Sequence, residues 1–236
     1  MMADEPDRLP AFSAHTRLLV IAPHPDDETI DTGGTLATLI RRGAGVTVLT
    51  CTRGERGEVV PDDLKPALES PDALAALRES ELADAMTALG VTDQRYRGEA
   101  GARWSGHDDR HYTDSGMRWG RRGAEPARDR DPDSLISADL ADVTADIASV
   151  VIATGADAVV SYDEHGGYGH PDHVRVHQAA RRAADIYGIP FFAVLPERAD
   201  AVGRRSLSPT ISLHVTDVLD RKRRAPWVAL EAAGDI

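Results

Sequence analysis

Hydrophobic positions along this chain alternate between short apolar runs and longer periodic stretches. Residues 18–22 form an aliphatic run that stops at Pro23 and Pro25, the pattern of a strand buried on both faces. Helical spacing follows over 34–40, Gly43 and Gly45 end it, and 46–50 reads as a second strand, so the first fifty residues predict one βαβ unit. Leu74, Leu77, Leu82, Met86 and Leu89 mark one face of a helix over 71–90, with an acidic first turn and a glycine stop. The same reading predicts a helix over 137–154, a strand over 158–161, a helix over 171–187, a strand over 191–195 and a last helix over 216–224. Alternation of this kind predicts an α/β fold, a mostly parallel sheet with helices on both faces. The length of 236 residues suits one domain spanning 1–236.

Residues 98–133 break the rhythm. They are rich in Gly, Arg and Asp, carry Trp104 and Trp119, and show no apolar period. A loop this long inside a compact domain is commonly functional, and it is expected to face a substrate.

Composition narrows the field. With 27 basic and 39 acidic residues the formal charge is -12, which disfavours phosphate backbones and anionic lipid, so no nucleic-acid partner is expected. No apolar stretch reaches the ~20 residues of a membrane span, residues 1–16 lack a secretory pattern, and Cys51 is the sole cysteine. A soluble cytoplasmic protein is the expectation, with homo-oligomerisation left open.

Chemistry concentrates in two strings that each follow a predicted strand: His24-Pro25-Asp26-Asp27-Glu28 and His170-Pro171-Asp172-His173. Ligands of open α/β sheets bind beyond the carboxyl ends of the strands, so both strings should face one crevice. Either string alone could be a helix cap, with proline at the first helical position and acids in the first turn. Two of them favour a site. His24 and Asp27 stand three apart, on one side of a first turn. With His173 they make a two-histidine, one-carboxylate set that leaves room for water, as in catalytic zinc sites. Asp26 is then the candidate general base, His170 the acid or oxyanion stabiliser, and Asp172 its orienting carboxylate.

These strings resemble the PIG-L/LmbE-like zinc-dependent N-deacetylases, whose hallmark is a strand followed by (A/P)HPDDE and a later HPDH. Thr50-Cys51-Thr52-Arg53-Gly54-Glu55-Arg56-Gly57-Glu58 and Asp114-Ser115-Gly116-Met117 are similar to the actinobacterial branch that handles mycothiol and its precursor. The likeness runs over 18–178, with a weaker echo at 217–222. It implies a Rossmann-like fold with Zn2+ on His24, Asp27 and His173, Asp26 as base, and His170 assisted by Asp172. It further implies Tyr168 as a mobile tyrosine polarising the substrate carbonyl, and Arg78, Asp114 and Met117 as substrate contacts. The implied substrate is a small N-acetylglucosamine-containing molecule.

Other readings stay open. A mycothiol S-conjugate amidase would use the same machinery, Fe2+ could replace zinc, and two histidines with a carboxylate also describe an Fe(II) oxygenase, although the spare Asp26 and His170 suit hydrolysis better. A non-catalytic metal- or sugar-binding module ranks last. Cys51 reads as structural. His15, His177 and His214 lack motif context, His107, His111 and His165 lie in loops near the expected mouth, and 31–34 lacks the glycine spacing of a dinucleotide site.

Overall fold

The computed structural model describes residues 12–121, 123–129, 131–195 and 229–230. In chain order the elements are β1 (Arg17–Ala22), α1 (Asp27–Arg41), β2 (Gly45–Thr50), β3 (Glu58–Val59), a 3-10 turn (Lys65–Ala67), α2 (Pro71–Leu89), β4 (Asp93–Tyr96), β5 (Met117–Gly120), β6 (Gly123–Pro126), α3 (Leu140–Thr154), β7 (Ala158–Tyr162), α4 (Pro171–Tyr187), β8 (Phe191–Val194) and β9 (Ala229–Leu230). Five strands form a parallel sheet in the order β4-β2-β1-β7-β8. The expected α/β fold with its parallel sheet is therefore present.

Side-chain alternation along β1 divides the core in two. Leu18 and Val20 pack with Leu36 and Leu39 of α1 and Leu82, Met86 and Leu89 of α2. Leu19 and Ile21 pack with Val143 and Ile147 of α3 and Val176 and Ala180 of α4. Each buried Leu, Ile or Val contributes roughly 1.5–3 kcal/mol, so a strand greasy on both faces is held only between two helical layers. Caps set the helix ends: Ser70 accepts Ala73 N at 3.0 Å before Pro71, Asp139 accepts Ala141 N at 2.8 Å, and Gly90, Gly155 and Gly188 close α2, α3 and α4 in left-handed conformation.

Three expectations change. Helix α1 begins at Asp27 rather than at residue 34, because the buried Gly33 and Gly34 lie inside the helix. Strand β4 was invisible to the apolar pattern, since all four of its residues are half-buried at the sheet edge. The loop 98–133 contains the antiparallel β5–β6 hairpin. The rest of that loop is anchored on α3: buried Arg97 pairs with buried Asp146 at 3.2 Å, and Asp146 also accepts Trp104 N at 2.9 Å and faces His107 Nδ1 at 3.2 Å. The expected helix at 216–224 lies outside the described residues. Among the described residues no helix is long and apolar enough to cross a membrane.

Candidate metal and substrate site

Beside β1 lies β2 on one side and β7 on the other, so the strand order reverses at the β1–β7 pair. That reversal is where an open α/β sheet leaves a crevice. His24 follows β1, and His170 follows β7 as the N-cap of α4, where its Nδ1 accepts Asp172 N at 3.1 Å. Both strings thus reach one pocket, and His24, Asp26, Asp27, His170, Asp172 and His173 are all buried there.

The three imidazoles cluster, with ring centroids 4.8 Å apart for His24 and His170, 4.9 Å for His170 and His173, and 5.4 Å for His24 and His173. Asp27 bridges two of them: Oδ2 lies 3.4 Å from His24 Nδ1 and Oδ1 lies 3.5 Å from His173 Nε2. The His24 backbone also donates to Asp27 Oδ2 at 3.0 Å. Two sets of three donors lie within 4.8 Å of one another, His24-His170-His173 and His24-Asp114-Asp172. Such buried nitrogen and oxygen donors fit a divalent metal.

Asp172 behaves differently from the expectation. Its carboxylate accepts from Ser115 N at 2.9 Å and from Ser115 Oγ, and it meets His24 Nε2 at 3.1 Å, while only its backbone N–H serves His170. Burial penalises this carboxylate, but the bond from His24, the polar field of the neighbouring His24 and His170 imidazoles and the Ser115 bond outweigh that and hold its pKa below the ordinary value. A proton on His24 Nε2 shared with Asp172 leaves Nδ1 as the lone-pair nitrogen on the Asp27 side, the arrangement by which carboxylates orient metal-binding histidines.

Arg78 is wholly buried, donating Nη2 to Asp26 Oδ2 at 2.7 Å and to Pro25 O, and Nη1 to Gly54 O at 3.4 Å. Asp26 adopts φ 115°, the only positive φ of a non-glycine among the described residues, a conformation that costs roughly 1–3 kcal/mol and clusters at functional sites. Burial pushes neighbouring Glu28 up to about 7, against the opposing bond from Thr29.

On the substrate side, Asp114 is buried with Oδ1 3.6 Å from His24 Nε2, steadied by Gly116 N at 2.8 Å and Arg56 N at 3.3 Å. Asp114, Met117, Trp119, Arg56 and His170 line one cavity of about 150 Å³. Tyr168 stands at its edge, 5.2 Å from His173, 6.1 Å from His170 and 6.0 Å from Trp119 between ring centroids. The structure turns His107 toward Asp146, places His111 near Glu99 and leaves His165 beside Glu164. Sequence reasoning placed Trp119 in a substrate-facing loop but missed Ser115 and Tyr162 as neighbours of the site. Ser115 carried a signal only as the residue beside Asp114.

A parallel sheet with a buried histidine and carboxylate pocket at its strand reversal defines an α/β protein whose buried donor set fits a divalent metal. The chain belongs to the PIG-L family, described as GlcNAc-PI de-N-acetylase, which it matches over residues 19–184. Over 182 residues it is 45% identical to a 1D-myo-inositol 2-acetamido-2-deoxy-alpha-D-glucopyranoside deacetylase of Catenulispora acidiphila, covering 77% of this chain and 52% of that one. Over 168 residues it is 51% identical to the protein of that name from Kineococcus radiotolerans, covering 71% and 44%. The chain thus spans about half the length of these curated relatives. The zinc-inhibited form of teicoplanin deacetylase shares the fold with a TM-score of 0.60 at 22% identity, covering 89% of this chain and 82% of that one.

Proposed function

We propose that the chain is a zinc-dependent hydrolase that removes the N-acetyl group from a small N-acetylglucosamine-containing glycoside, releasing acetate and a free amine. The observation that carries this reading is the meeting of His24, Asp27 and His173 in one buried pocket with Asp26 and His170 left over beside them. Relatives at 45% and 51% identity named as deacetylases of an N-acetylglucosaminyl-inositol support the substrate class. His24, Asp27 and His173 would hold the ion, which when bound polarises the amide carbonyl and lowers the pKa of water to roughly 7.

The residues of the chain supply the proton chemistry. Asp26, clamped by Arg78, takes a proton from the attacking water and delivers it to the departing nitrogen. His170 accepts the Asp172 amide on Nδ1, so its Nε2 carries the proton and donates to the developing oxyanion. Tyr168 closes over the reacting carbonyl, while Asp114 and Met117 contact the sugar from the cavity wall.

The test is acetate release, with and without a chelator, from N-acetylglucosaminyl-inositol, free N-acetylglucosamine and a mycothiol conjugate. Chelator-sensitive acetate from the first is the expected result. Amine release from the conjugate without acetate would replace this reading by an amidase, and metal analysis of the purified protein separates zinc from iron.

A further inference from the structure

Tyr162 is the last residue of β7 and belongs to neither histidine string. Its hydroxyl donates to Asp27 Oδ1 at 2.5 Å and also bonds the Asp31 carboxylate one turn further along α1. Its ring is stacked on His173, with centroids 4.0 Å apart and planes inclined by 20°. One buried side chain therefore touches two groups that stand on different helices, the carboxylate on α1 and the imidazole on α4.

The platform under Tyr162 is itself tied down on three sides. His177, one turn beyond His173 on α4, brings Nδ1 to Tyr162 O at 2.8 Å. The preceding Ser161 donates Oγ to Ile21 O at 2.9 Å and so fastens the end of β7 to β1. Gly167, in the loop that follows β7, lies against the ring edge, where an added Cβ would approach Tyr162 Cε1 to 3.3 Å. A hydroxyl and a ring face held this way leave the carboxylate and the imidazole little rotational freedom.

We infer that Tyr162 is a positioning residue of the metal site: its hydroxyl aims the Asp27 carboxylate and its ring fixes the plane of the His173 imidazole. The inference rests on the proposal that Asp27 and His173 are metal ligands. Removing a partner that orients a ligand commonly costs 10- to 100-fold in metal affinity. The two contacts are separable, because phenylalanine keeps the stacked ring and loses the hydroxyl, whereas leucine loses both.

The experiment measures Zn2+ affinity of the full chain by competition with a chromophoric chelator, and the visible spectrum of the Co2+-loaded protein, for wild type, Tyr162→Phe, Tyr162→Leu and His173→Ala. Expected are a 10- to 100-fold weaker affinity and altered cobalt bands for Tyr162→Phe, a larger loss for Tyr162→Leu, and abolished binding for His173→Ala. Melting of the metal-free proteins is followed alongside, and the near-isosteric phenylalanine variant carries the test if the leucine variant does not fold. Tight wild-type binding with unchanged affinity and spectrum in Tyr162→Phe overturns the inference alone. A wild type that binds neither ion overturns the ligand set and the inference with it.

Discussion

Arg78 and Asp26 form an ion pair inside the protein, Nη2 to Oδ2 at 2.7 Å, with the guanidinium wholly buried. Removing one member of a buried pair strands the other at a cost of roughly 3–5 kcal/mol. Asp26→Asn keeps an acceptor for Arg78 and should stay folded, while kcat/KM falls by roughly 10²- to 10⁴-fold through loss of the base. Asp26→Ala should in addition unfold more easily, and Arg78→Met added to it should restore part of that stability. Denaturant titrations of the two single variants and the double variant, with acetate release on each, check this. Additive losses would show that the two side chains are not energetically coupled.

Metal removal should separate ligand from base. Dialysis against a strong chelator should abolish turnover, with recovery on adding Zn2+. His173→Ala should retain little bound metal, whereas Asp26→Asn should retain a full complement despite its lost activity. Elemental analysis of the purified variants reads both. Unchanged metal in His173→Ala would remove that residue from the ligand set.

Cys51 offers a test of burial by pH. Burial pushes its thiol up to about 11 from an ordinary value of 9.0. The folded state holds the proton longer than the unfolded chain, so stability falls as pH rises between these two values, by about 2–3 kcal/mol in all. Below the lower value this contribution is flat. Cys51→Ala should lose that slope in denaturant titrations from pH 8 to 11, and the native thiol should react with iodoacetamide at pH 8 far more slowly than the unfolded one.

Gly166 makes the turn that leads into the second histidine string. It adopts φ 65°, and a Cβ there would come within 2.9 Å of His173 Cβ and of Val174. Left-handed backbone strain and crowding together predict that Gly166→Ala costs about 2–4 kcal/mol. In a chain of this size that corresponds to a Tm lower by about 4–16 °C. Zinc affinity should fall as well, since the imidazole must shift. A calorimetric scan and the chelator competition check the two halves.

Trp119 rises from the β5–β6 hairpin with 49% of its surface exposed and lines the cavity together with His170. An aromatic face in that place suits the ring of a substrate's aglycone. Trp119→Ala should raise KM for N-acetylglucosaminyl-inositol about fivefold, near 1 kcal/mol, with little change in kcat. Free N-acetylglucosamine should be affected less. Equal effects on both substrates would place the contact at the sugar instead.

How much was legible in the sequence depended on how each residue earns its place. The strand at 18–22 was visible because every residue from Leu18 to Ala22 is buried, and the strings at His24 and His170 because two helix starts repeat one pattern. Strand β4, Asp93-Gln94-Arg95-Tyr96, was not, since an edge strand needs only half-burial and its Asp93 is occupied with Arg95 and Thr47. Arg78 reads as a sugar contact from the resemblance alone, and no spacing rule reveals that its guanidinium on α2 also pairs with buried Asp26. Asp172 was matched to its neighbour in sequence, His170, whereas its carboxylate turns to His24 and Ser115 across the crevice. Tyr162 lies one residue beyond the strand predicted over 158–161 and received no role, and its contact with Asp27 depends on the parallel placement of β7 beside β1.

The Ser115 bridge has a further consequence. One serine ties the segment after Tyr112 to Asp172, Asp172 touches His24, and Ile136 N at 3.0 Å fastens the far end of the same segment to the Ser115 hydroxyl. If His24 holds the proposed ion, its capture and the placement of Ser115 would be linked equilibria, each favouring the other by the same free energy. Loading the ion should protect the arginines of that segment from trypsin, and a ligand that orders the segment should slow the ion's escape. The cavity wall at Asp114 and Ser115 and the histidine cluster would then respond as one cooperative unit.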